Sequence, residues 1–295
     1  MENNQVANKT SQKNNAGVFA FIRYMLKKPG YTFGFIVVVV SILLIFFGRA
    51  LAPYPPEQAS SGAERLAPCI GHIFGTDAVG MDVFSRVLAG TKIDVTIALA
   101  GTALSLLIGI PLGLIIGFYR NFISELIART LDLIQSIPVF VLAMVLVAVR
   151  GGGVVNIIMA IAFVNAPIYA RMMRGQTLEQ KSKAYVEASR CAGNSDAVII
   201  FRHILPNGLT PIFAQATVNL GMAIMLSAGI SFIGAGVQSP TAEWGLMVSM
   251  GTNEIILGQW WTSFFPGVAI AVTILGYSLL GDALQHFLNP LERKE

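Results

Sequence analysis

The chain alternates between long apolar blocks and short polar stretches. A helix needs about 20 apolar residues to cross ~30 Å of hydrocarbon. Six blocks qualify, at residues 33–51, 95–119, 126–149, 154–168, 212–234 and 267–288. The fourth is interrupted by Pro167 and followed by Arg171 and Arg174. It is expected to continue as helix to about Met173, kinked at the proline, with neighbouring helices satisfying the freed carbonyl. The pattern predicts an all-α, polytopic membrane protein of about six spans.

Composition agrees. The 295 residues are 54% hydrophobic and 12% charged, against about 25% charged in an average soluble domain, and the mean hydropathy is +0.66. That much apolar surface exceeds what one water-soluble core of this size can bury. A net charge of +4 points to nucleic acid only where the basic residues cluster. Here they are spread between the apolar blocks, so they read as topology signals and not as a nucleic-acid surface. With a cytoplasmic N-terminus, 15 Lys and Arg fall on one side and 5 on the other, as the positive-inside rule requires. Both termini are then cytoplasmic. The first block reads as a retained anchor. Ala50-Leu51-Ala52 resembles a cleavage site, but the polar stretch ahead exceeds 30 residues and the apolar block is too long for a signal peptide. Residues 1–17 are expected to be a disordered tail.

Cys69 and Cys191 fall on opposite sides of the membrane and cannot pair; His72, His203 and His286 are scattered, and no metal-ligand spacing occurs. Trp244, Trp260 and Trp261 all lie between the last two blocks, in a segment expected to run along the outer membrane face.

The most informative polar segment lies between the fourth and fifth blocks. Tyr185 to Asp196 reads as a short helix ended by Gly193, followed by a second short helix capped by Ser195, favoured by Asp196 at its positive end and stopped by Pro206. Two short helices outside the membrane make a rigid knob suited to docking. An ordinary connecting loop reads equally well from composition alone.

The order of residues carries more. Glu187-Ala188-Ser189, then Gly193, then His203-Ile204-Leu205-Pro206, resembles the signature loop of ATP-binding-cassette importer permeases. Arg202-His203-Ile204-Leu205-Pro206-Asn207 is similar to the peptide and nickel branch, its second permease subunit in particular. Ser189 stands where the pattern usually has Ala, and His203 where the general pattern has Ile. Gly75-Thr76-Asp77 with Gly80 to Arg86, Asp132 with Ser136-Ile137-Pro138, Ser231 to Gln238 with Glu243-Trp244-Gly245, and Gly281-Asp282 with Asn289-Pro290 extend the resemblance over residues 20–293; Met81 stands where the branch carries Arg.

The resemblance implies a type I importer permease fold. Its divisions would be a cytoplasmic tail (1–30), a first helix (31–52), an external loop (53–92), a five-helix permease domain (93–286) holding a coupling loop (176–207), and a cytoplasmic tail (287–295). It implies a non-catalytic subunit of a bacterial or archaeal inner membrane. The partners would be a second homologous permease, two ATP-binding cassette subunits, an external solute-binding protein and membrane lipid. ATP and Mg would bind on the ATPase partners, and no cofactor on this chain. Glu187, Ala188, Ser189, Arg190, Gly193, Arg202, His203, Leu205 and Pro206 would form the ATPase-coupling loop. The chain itself has no phosphate-binding loop, since the dipeptide Gly-Lys never occurs.

Within the spans, Gly101, Ser105, Gly109, Gly113 and Gly117 recur every four residues and read as a helix-packing face. Glu125, Arg129 and Asp132 are spaced for a local ion pair that leaves Asp132 structural. Gln215 and Asn219, with Met222 on the same face, either line a pathway or join helices; Thr273, Tyr277 and Asp282 form a weaker stripe. The competing function is an ion-coupled carrier needing no ATPase, which calls for paired charges at mid-membrane. An intramembrane enzyme needs a nucleophile–base pair or a metal cluster within the spans, and none is apparent.

Overall fold

The computed structural model describes residues 21–119 and 121–288. Lys9, Lys13, Arg120, Arg293 and Lys294 of the charge count, the tail at 1–17 and the Asn289-Pro290 motif lie outside the described residues. The elements are α1 (Pro29–Leu51), α2 (Val83–Phe118), α3 (Phe122–Ser136), α4 (Val139–Arg150), α5 (Val154–Lys181), α6 (Ala184–Cys191), a π-type turn (Ile199–Ile204) entered from Asp196–Val198, α7 (Leu205–Phe232), α8 (Trp244–Ile255) and α9 (Trp261–Leu288). Five helical stretches are long and apolar enough to cross a membrane, and six if the bent pair α3–α4 is one span.

The boundaries follow local chemistry more than hydropathy. α2 has 36 residues, about 54 Å at 1.5 Å per residue, far more than ~30 Å of hydrocarbon. It begins twelve residues before the expected span, because Asp82 caps it by accepting from Ser85 N–H at 2.7 Å. Its first turns therefore stand clear of the apolar block. The third block is not one straight helix: α3 and α4 meet at 93°. Pro138 supplies no N–H, and the residue before it, Ile137, is held extended (φ −86°, ψ 132°).

Two other prolines sit in unbroken helix, as expected of Pro167 and not of Pro206. α5 runs without a break through Pro167 and on to Lys181, past the expected end near Met173. Pro206 does not stop a helix. It falls in the first turn of α7, directly after the π-type turn, where a missing N–H costs least. Ser195 holds the N-cap position but makes no capping bond.

The main packing seam joins α2 to α5. Gly101, Gly109, Gly113 and Gly117 face Ile161, Ala166, Ala170 and Thr177 in turn. A Cβ at Gly109 would stand 2.6 Å from the Ala166 carbonyl, so the two backbones touch. Val95, Ile97, Ile157, Ile161, Ile224 and Ile230 fill the core between α2, α5 and α7. α1 lies against α2 and α9, and Ser41 Oγ meets the Tyr277 hydroxyl at 3.1 Å. Thr273 is buried near by on α9, while Asp282 is exposed.

The two ends of the bundle differ. At one end, residues 52–82 fold as a cap over α8 and the start of α9. At the other, α6 and the π-type turn form a knob beneath α2, α5 and α7. Cys69 is exposed at the cap and Cys191 at the knob, and both are free.

Candidate functional site

The knob is built from the inside out. Val186, Ile199, Ile200 and Ile204 are buried against Leu114 and Phe118 of α2, Tyr169 and Met173 of α5, and Ile212 and Ala216 of α7. Burying each such side chain stabilises by about 1.5–3 kcal/mol. Lys181 closes the seam above by donating to the Phe118 carbonyl at 2.6 Å. Gly193 takes a positive φ of 79°, which turns the chain from α6 into the next helix. Asn194 Nδ2 then ties the turn back, donating to the Ser189 carbonyl at 3.2 Å and to Ser189 Oγ at 3.0 Å. Ser189 is thereby buried inside the knob.

What remains outward is a mixed surface. Glu187, Ala188, Arg190, Gly193, Arg202 and Pro206 are exposed, and His203 and Leu205 are half-buried. Phe201 is 65% exposed beside them. Among the described residues, no ion pair engages Glu187, Arg190 or Arg202, although Lys183 pairs with Glu179 at 3.3 Å.

A second feature is a groove of about 400 Å³ between α4, α5 and α7. Its walls are Val139 and Phe140 of α4, Asn165 and Ile168 of α5, and Asn219, Met222, Met225, Leu226 and Gly229 of α7. Gln215 is not among them. It donates to Asn219 Oδ1 at 3.0 Å, and Asn219 Nδ2 donates in turn to the Tyr169 hydroxyl at 3.1 Å. This ladder joins α7 to α5 and fixes the Asn219 amide at the groove edge. Asn219 thus both borders the groove and joins the two helices. Asp132 does not pair with Arg129, which binds Glu125 at 2.9 Å. Its partner is Arg171 of α5, at 2.7 Å, because helix spacing on one strand of sequence says nothing of the helix packed across from it.

The cap end holds polar residues that periodicity does not reveal. Arg86 is 2% exposed and donates to the Pro56 carbonyl at 2.9 Å, the Pro240 carbonyl at 3.2 Å and the Met81 sulfur at 2.6 Å. Met81 is buried there and belongs to the packing. Trp244 Nε1 donates to the Val87 carbonyl and Trp261 Nε1 to the Thr76 carbonyl, each at 3.0 Å. Those two indoles are therefore buried struts instead of a membrane-surface belt, and only Trp260 is exposed. His72 Nδ1 lies 2.8 Å from Asp82 Oδ1. Glu254 accepts from Ala78 N–H at 3.0 Å, and burial pushes its carboxyl above the usual range. No group of three or more metal-ligating side chains occurs among the described residues.

The comparisons with known proteins agree with this architecture. Residues 109–294 match the family model described as "Binding-protein-dependent transport system inner membrane component". The chain is 40% identical over 255 residues to the probable D,D-dipeptide transport system permease protein DdpC of Escherichia coli K12, covering 86% of this chain and 85% of that protein. It is 35% identical to the glutathione transport system permease protein GsiD of Pectobacterium atrosepticum, over 86% of this chain and 84% of that one. It is also 35% identical to the dipeptide transport system permease protein DppC of Alkalihalophilus pseudofirmus, over 87% and 84%. Among solved structures, the MetNI methionine ABC transporter in inward-facing conformations aligns with a TM-score of 0.56 at 18% identity, over 69% of this chain and 97% of that one; this likeness concerns the fold.

Proposed function

The chain belongs to the binding-protein-dependent transport system inner membrane components, as a multi-pass, non-catalytic permease subunit of an ATP-driven importer, and on that premise we propose that it conducts small peptides and is driven through its knob. The peptide reading is supported by the relatives named for D,D-dipeptide, dipeptide and glutathione transport. The groove suits such a cargo. Asn165 and Asn219 offer amide donors and acceptors to a peptide backbone, while Phe140, Met222 and Met225 give adaptable apolar contact.

The observation that carries the coupling reading is the exposed set Glu187, Arg190, Arg202 and Phe201 on a knob whose apolar side is clamped to α2, α5 and α7. A surface fixed to three helices passes a push from below into the bundle as a rigid movement. A cytoplasmic ATPase subunit is its fitting partner, two of them serving this chain and a second permease. ATP and Mg bind to those ATPases, an external binding protein delivers the solute, and the cap end faces it. The 15-to-5 charge split supports that orientation, with cytoplasmic termini.

The test is ATP-driven uptake of a labelled dipeptide by the reconstituted complex with its binding protein. Glu187→Lys together with Gly193→Val should abolish uptake while leaving the chain inserted. Undiminished uptake in that double variant would reject the coupling role. Uptake by the chain alone in vesicles would reject dependence on a partner ATPase.

A further inference from the structure

Two buried carboxyl groups fasten α8 to α2. Asp94 of α2 and Glu243, the N-cap of α8, are each 0% exposed. One oxygen of each is satisfied at the start of α8: Trp244 N–H donates to Asp94 Oδ2 at 3.1 Å, and Leu246 N–H to Glu243 Oε2 at 2.6 Å. The other oxygens, Asp94 Oδ1 and Glu243 Oε1, have no hydrogen-bond partner among the described residues. Asp94 accepts from the N–H of the residue that follows Glu243, which brings the two carboxyl groups side by side at the start of α8. Two ionised carboxylates cannot hydrogen-bond, because both are acceptors only. A contact of this kind needs a proton on one of them.

Among the described residues, no basic side chain takes the proton's place. α7 carries no Asp, Glu, Lys, Arg or His. The acidic and basic groups of α9, Asp282 and His286, lie at its far end, and α5 has none before Arg171. On α2, Lys92 is exposed, and Arg86 is committed to Pro56 and Pro240 two turns away. On α1, Arg49 pairs with Glu57 at 3.1 Å. On α8, Glu254 is eleven residues further on and is bound to Ala78 N–H. On the cap, His72 is paired with Asp82, and Asp77 accepts from the backbone of Val79 and Met81.

The packing around the pair is tight. A Cβ at Gly90 would touch the Trp244 ring at 3.0 Å, and Gly251 is closed in by Thr262 and Ser263. α8 is therefore held between α2, α7 and α9 with little room to move apart from its neighbours without breaking the carboxyl contact. Two full charges side by side in such a place repel, as they do wherever two acids share a buried site.

We propose that Asp94 and Glu243 share one proton, and that this proton is the latch holding α8 against α2. Loss of the proton at alkaline pH puts a second negative charge into the contact and forces the two helices apart, loosening the rim at the cap end. The latch stands on the packing of the bundle alone and requires nothing of the transport reading.

Infrared difference spectra of the purified complex test it, with Asp94→Asn, Glu243→Gln and, as a control on another buried acid, Glu254→Gln. An Asn or Gln amide can donate to the remaining carboxylate, so neither dyad variant needs the shared proton. The wild type should show the C=O stretch of a protonated carboxyl at neutral pH. Each dyad variant should lose that band, and the control should retain it. The wild-type rate of thermal inactivation should rise several-fold from neutral to strongly alkaline pH, and the dyad variants should lose that rise. Should Asp94→Asn fail to insert, Glu243→Gln carries both readouts. A band missing from the wild type, or kept in a dyad variant, overturns the proposal. So does an alkaline rise unchanged by substitution, or one suppressed by added sodium or calcium, which would put a cation where the proton is proposed.

Discussion

The two ends of the bundle use charge in opposite ways. At the cap end, Arg86, Asp94, Glu243 and Glu254 point inward, and several of them bind carbonyls or N–H groups of irregular backbone. At the knob, Val186, Ile199 and Ile204 point inward while Glu187, Arg190 and Arg202 point out. A cap of residues 52–82 with little regular structure must satisfy its backbone with side chains. A knob of short helices satisfies its own backbone and leaves its charges for another surface. The cap is thus an internally closed structure, and the knob an open one.

Substitution can break that contrast. The largest effect is expected at Arg86. Arg86→Ala leaves the Pro56 and Pro240 carbonyls without their donor and should cost about 3–5 kcal/mol of stability, seen as a lower melting temperature in detergent. Arg190→Ala, at an exposed site of the same residue type, should stay within about 0.5 kcal/mol and instead weaken ATPase coupling. Equal melting shifts for the two would erase the distinction.

Ile204→Ala should come next, at about 2–5 kcal/mol, because it empties a fully buried site beneath α7. The same change at exposed Val198 should do little. Asp132→Asn should be smaller. The Asp132–Arg171 pair is half-exposed, and a double-mutant cycle with Arg171→Gln should give a coupling of about 0.2–1 kcal/mol. A coupling of zero would mean that α3 is held to α5 by packing alone.

The smallest effect concerns pH. Burial raises the Glu254 carboxyl in the folded protein. The folded state then keeps that proton to higher pH than the unfolded chain does. Its contribution is fully present below the unfolded carboxylate range and is lost as pH rises through the raised value. Glu254→Gln should flatten the pH dependence of cap stability over that window, measured by thermal unfolding across a pH series. An unchanged slope would assign the dependence elsewhere.

Much of the fold was legible in the sequence, and each miss has a local cause. Apolar blocks located the five long apolar helices and the bent pair, since lipid demands them whatever the topology. They placed the start of α2 twelve residues late, because a cap such as Asp82 is a hydrogen bond and carries little hydropathy. The bend at Ile137-Pro138 was visible as a proline, but so were Pro167 and Pro206, which break nothing. The packing face of α2 could be read because small residues repeat every turn. The Asp132–Arg171 ion pair and the Asp94–Trp244 hydrogen bond could not, since each joins residues far apart in sequence. Trp244 lay within a quoted motif, yet its partner on α2 had no periodic signal to mark it.

The contrast between the closed cap and the open knob rests most directly on one comparison. Purified complexes carrying Glu187→Lys or Arg190→Glu should be assayed for ATP hydrolysis stimulated by the binding protein and for melting temperature on the same preparation. Loss of stimulation with an unchanged melting temperature is the predicted result. Full stimulation, or a melting temperature that falls as far as that of Arg86→Ala, would contradict it.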